Sequence, residues 1–169
     1  MNNNTFVQET RTTKTPKLLL PLVLSLILLV PMANASIPTS ATGSFTATVT
    51  ITSISQADGN TIITAIETQT LSGFLTGTRI AEGVEIVHPG GTFNAHDSGT
   101  FTGTVNGISG TVVISGSSTG TGATGSGQFV VELGTAGLSG LHAQGTFQPT
   151  VTGPTTVTGT YSLQYHFDP

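Results

Sequence analysis

The sequence has 169 residues, enough for one domain, with four basic and eight acidic side chains, no cysteine and no tryptophan. A formal net charge of −4 excludes the basic stripe that nucleic-acid binding needs, and the missing cysteines exclude a disulfide framework. Only 7% of residues are charged, so solubility rests on Thr, Ser, Asn and Gln.

Residues 1–17 are polar and carry Arg11, Lys14 and Lys17; an uncharged run of 13 residues follows, Leu18 to Val30, and then Ala33-Asn34-Ala35. This three-part order is that of a secretory signal peptide with a small-x-small cleavage site. Spanning a bilayer takes about 20 apolar residues, so the run is short for an anchor. The expectation is a leader over 1–35, cleavage before Ser36, no stable membrane insertion afterwards, and export to the periplasm, the cell surface or the medium. The remaining chain keeps one basic residue, Arg79, against seven acids. That balance also argues against attraction to anionic lipid surfaces.

Residues 36–43 (SIPTSATG) read as a linker, because Pro38 and Gly43 disfavour regular structure. The domain is expected over 44–169. Phe45, Ala47, Val49 and Ile51 alternate with threonines, the period-two pattern of a half-buried strand. Asp58-Gly59-Asn60 is a turn, and Thr61 to Leu71 a second strand whose two faces are not told apart by hydrophobicity. Gly73 to His88 holds one long strand or two short ones, with Gly77 and Gly83 as sites for bulges. Ile80, Glu82, Val84, Ile86 and His88 share one parity there, Arg79 and Glu85 the other. Pro89-Gly90-Gly91 ends it.

From Thr92 onward, Phe93, Ala95, Asp97, Gly99, Phe101, Gly103 and Val105 share a face, and Asn106-Gly107 is a two-residue hairpin signal. Thr111–Ser117 returns, and Gly125–Leu133 follows with Phe129, Val131 and Leu133 in alternation. The Gly-punctuated stretch Gly134–Phe147 comes next, and Val157 to Phe167 shows the cleanest alternation in the chain. The total is about eight strands and no helix. Short connections favour antiparallel neighbours, and glycines within strands (99, 103, 145, 159) favour a sheet coiled into a barrel. The expected fold class is all-β, a single eight-stranded antiparallel β-barrel.

The run TGTGATGSGQFVVELGTAGLSGLHAQGTF (119–147), followed by YSLQYHF (161–167), resembles an uncharacterised family of small bacterial proteins with an allene oxide cyclase-like barrel. The residues that carry the likeness are Gly134, Gly137, Leu138, Gly140, Leu141, Gly145, Phe147, Tyr161, Leu163 and Tyr165. LSGFLTG (71–77) and FTGTVNGISGTVV (101–113) are also similar to family segments, so the likeness covers about 43–167. It implies an allene oxide cyclase-like barrel with a cavity, often self-associating, and no established activity. The acidic–basic pair expected before the FTG segment is replaced by Gly99 and Thr100, and a polar position falls near Gly116. These departures speak against a shared catalytic role.

The residues that could carry chemistry are few. Glu82 and Asp97 fall on the apolar parity of their strands; pointing inward, a carboxylate would have a raised pKa and could act as a general acid or base. These two are the catalytic candidates. Tyr161, Tyr165, Phe101 and Phe129 are the candidates for lining a ligand, with the tyrosine hydroxyls either orienting it or satisfied by backbone. Arg79 is expected to pair with Glu85 or with an acid on a neighbouring strand. The four histidines show no i, i+2 spacing and no metal-ligand signature, so no metal and no cofactor is expected; His142 and His166 fall on polar faces. Gly137-Leu138-Ser139-Gly140 lacks the spacing of a nucleophile elbow, and no glycine run has the lysine and helix of a phosphate loop.

Three functions remain open. One is an exported barrel holding a small apolar ligand in its lumen. Another is an isomerase or cyclase resembling allene oxide cyclase. The last is a structural surface protein, self-associating through Thr-rich strands as a homo-oligomer. The balance leans away from an enzyme. An outer-membrane barrel fits the alternation but lacks aromatic girdles, with no Trp and two Tyr in the chain.

Overall fold

Alternation with period two is what the backbone follows. A computed structural model describes residues 37–168, and the expected leader lies outside them. Eight strands run in chain order: β1 (Thr39–Ala57), β2 (Asn60–Gly73), β3 (Leu75–Val87), β4 (Thr92–Val105), β5 (Ile108–Thr121), β6 (Thr124–Ala136), β7 (Leu141–Val151) and β8 (Thr156–Phe167). Each pairs antiparallel with the next, and β1 pairs with β8, so the sheet closes on itself and leaves no free edge. The segment expected as a linker enters β1 at Thr39, which pairs with Tyr165. Pro38 stays ahead of the first rung, where its missing N–H costs nothing.

The turns obey their chemistry. Asn106-Gly107 has φ of 50° and 82°, and Asp58-Gly59 has 51° and 77°, the left-handed pairs that a two-residue hairpin requires. Gly83 forms no bulge: β3 pairs with β4 in unbroken register from Leu75 to Val87. The irregularities fall elsewhere. One extra residue enters β1 between Ile51 and Ser53. Another enters β6, where Val112 faces Gly134 but Ile114 faces Val131. The second turns Leu133 outward, 69% exposed, away from the face it was expected to share with Phe129 and Val131.

The two ends of the ring differ. At the end formed by the β2–β3, β4–β5 and β6–β7 connections, the lumen is filled. Leu75, Phe101, Val105, Val112 and Leu138 are fully buried there. Leu138 comes from the Gly-rich stretch, where residues 137–140 make a tight turn between the end of β6 and the start of β7: Leu138 and Ser139 donate backbone bonds to Thr135 and Ala136. Gly134 lies so close to the Leu138 carbonyl that any side chain would collide with it. The stretch thus stoppers the barrel with one leucine.

Candidate functional site

The opposite half of the lumen is open. A cavity of about 140 Å³ lies there, walled by Phe45, Phe93, Phe129 and Phe147 and reaching Pro149, Val151 and Val157. Phe129 and Phe147 meet at 6.4 Å between ring centres, and so do Phe45 and Phe147. Ala95, Gly116 and Gly125 line it as well and put little or no side chain into the space.

Its floor is polar. Arg79 on β3 is 3% exposed and forms an ion pair with Asp97 on β4. Its guanidinium also donates to the Ile114 carbonyl at 2.9 Å and to Gln69 Oε1 at 3.3 Å. Gln69 in turn donates from Nε2 to Glu67 Oε2 at 2.8 Å. One donor is left over: Arg79 Nε is buried without a hydrogen-bond partner, and such a group calls for an acceptor. Glu85 lines the same cavity.

Burial raises the Glu67 carboxyl above its ordinary 4.5; the Gln69 bond opposes this, Asp97 adds to it and Arg79 opposes it. Glu85 is raised too, by burial and then by the charge of Glu67. An acid raised on folding binds its proton more tightly folded than unfolded. Its stabilising contribution is therefore full below about pH 4.5 and is lost as pH rises through the folded value. Glu67→Gln removes the charge that burial penalises. The variant is expected to show a higher urea midpoint than the parent at pH 7, and the difference is expected to shrink below pH 4.5.

Of the six residues singled out in the sequence, Asp97, Phe129 and Tyr161 line this cavity. Glu82 does not: it is exposed on the outer wall, paired in register with Ile66 and Ser98. The inward face of β3 is instead the one carrying Arg79 and Glu85. Phe101 is fully buried beside Arg79 in the β3–β4 register, and Tyr165 packs on Phe74 at 4.4 Å in the filled half. The Tyr161 ring reaches the cavity, but its hydroxyl accepts from the Leu75 N–H at 2.8 Å and lies 3.2 Å from the Ser72 carbonyl. It ties down the β2–β3 turn, and burial raises its pKa. Tyr161→Phe strands that N–H, and chemical denaturation is expected to show a loss of about 1–3 kcal/mol. Arg79, Glu67, Gln69 and Glu85 were not among the site candidates.

No protein-family model matches the chain, and no curated protein matches it by sequence. Among solved structures, it is similar to a protein of unknown function from the DUF3224 family of Shewanella oneidensis, with a TM-score of 0.64 and 19% identity. The match covers 79% of this chain and 99% of the other. At that identity the likeness is one of fold. It agrees with the resemblance to an uncharacterised family and brings no cyclase with it.

Proposed function

We propose that the open half of the lumen binds a small, mostly apolar, uncharged molecule that carries one hydrogen-bond-accepting oxygen. The observation that carries this reading is the pairing of an aromatic cavity with an unpartnered buried donor, Arg79 Nε. Ligand sites commonly join apolar walls to a few placed polar groups. The acids Glu67, Glu85 and Asp97 line the same cavity, which disfavours an anion there. The Arg79 Nε–H calls for an acceptor, which selects a carbonyl or hydroxyl on the ligand.

Size narrows the class further. An apolar cavity of about 150 Å³ holds benzene, and this one is about 140 Å³. The fitting ligand is a single ring or a short chain, not a long-chain lipid. Binding needs no nucleophile or acid–base pair, and none is invoked. The leader and charge pattern support an exported binding protein.

Native mass spectrometry of the protein purified without detergent tests the reading. A mass excess of roughly 100–150 Da, released on denaturation, is expected from a ligand of benzene-like size. A long-chain lipid in that place would contradict the size argument.

A further inference from the structure

The outer wall carries a second constellation, apart from the lumen. His142 on β7 and His166 on β8 are register partners. Their rings stack at 5.0 Å between centres with 11° between planes. Asp168, just past β8, lies 3.0 Å from His142 Nε2 through Oδ2. A ligand atom from each of the three residues falls within 4.8 Å of the others. The His142 and Asp168 side chains are 55% and 58% exposed, so the core has no use for them. Asp168 is nonetheless held: its N–H donates to the Gly140 carbonyl at 2.9 Å, which ties the end of β8 to the start of β7.

We propose that His142, His166 and Asp168 form a surface site for a late first-row divalent cation, with zinc as its representative. Two imidazoles and a carboxylate are ligands such ions accept, and three protein ligands leave a tetrahedral position open to water or a further ligand. Metal–ligand bonds of about 2.0–2.1 Å place tetrahedral ligand atoms about 3.4 Å apart. His142 and Asp168 are exposed and His166 is half-buried, and their ligand atoms already lie within 4.8 Å of one another, so the closure needed is small. A hard cation such as magnesium prefers an all-oxygen shell and does not suit this set. Bound zinc would staple β7 to β8 across the register pair.

Calorimetric titration of the metal-stripped chain with zinc chloride, and separately with magnesium chloride, tests the site. One saturable zinc site and no comparable magnesium site are expected. His142→Ala, His166→Ala and Asp168→Asn are each expected to weaken zinc at least about tenfold. Circular dichroism should show the β signal unchanged in all three, because the side chains lie outside the barrel. No saturable zinc binding overturns the proposal. So does an affinity that survives His142→Ala/His166→Ala, since His88 and His96 would then be responsible. An Asp168→Asn variant as tight as the parent overturns the three-residue site.

Discussion

Replacing Asp97 with alanine is expected to destabilise the barrel by about 3 kcal/mol, the low end of the cost of breaking a buried ion pair. The Arg79 side chain is 4% exposed and that of Asp97 is 23%, so the charge left behind is the better buried one. Arg79 would keep its bonds to Gln69 and Ile114, which places the cost at the low end of the range. The loss should appear in the urea midpoint with little change in slope. Arg79→Met/Asp97→Leu removes both charges, and its midpoint is expected to recover most of the difference. Loss of Asp97 also removes one of the influences that raise Glu67, so the pH dependence of stability should shift to lower pH in the single variant.

Phe101→Ala is the second large effect, about 3–5 kcal/mol. The Phe101 ring is fully buried and packs over Gly103, whose missing side chain makes room for it. No neighbouring backbone can collapse into the vacated space in a closed ring. By contrast Ile80→Ala, on the outer wall at 57% exposure, is expected to stay within about 0.5 kcal/mol of the parent. Equilibrium denaturation of the two variants side by side reads both numbers, and equal losses would contradict the assignment of inner and outer faces.

That assignment is where sequence reading and structure part. Strand number, antiparallel order and the Asn106-Gly107 hairpin follow from alternation and turn chemistry, which are local. The face of β3 is not local. The open half of the lumen is floored by Arg79, Gln69 and Glu67, so the more apolar parity of β3, with Ile80, Val84 and Ile86, is the outer one. Hydrophobicity alone therefore put Glu82 inside and Arg79 outside. The glycines held the better signal. Gly99, Gly103, Gly145 and Gly159 sit where a side chain would strike a neighbouring strand, and Gly77, Ala81 and Gly83 show the same small-residue habit on the parity of Arg79. Leu133 was misplaced for another reason: an extra residue in β6 reverses parity, and nothing local announces it. The adjacency of His142 and His166 is not legible in the sequence, because spacing along one strand says nothing about partners across the register.

The central claim is that the open half of the lumen is a ligand-sized cavity with donors at its floor. Titration with phenol, a ring with one accepting oxygen, followed by nuclear magnetic resonance of the aromatic and methyl side chains and of the arginine Nε–H, tests it most directly. The account predicts saturable changes at Phe45, Phe93, Phe129, Phe147 and Arg79, with the outer-wall residues Ile80 and Val84 unmoved. Saturation without any change at those five, or changes spread evenly over the outer wall, would contradict it.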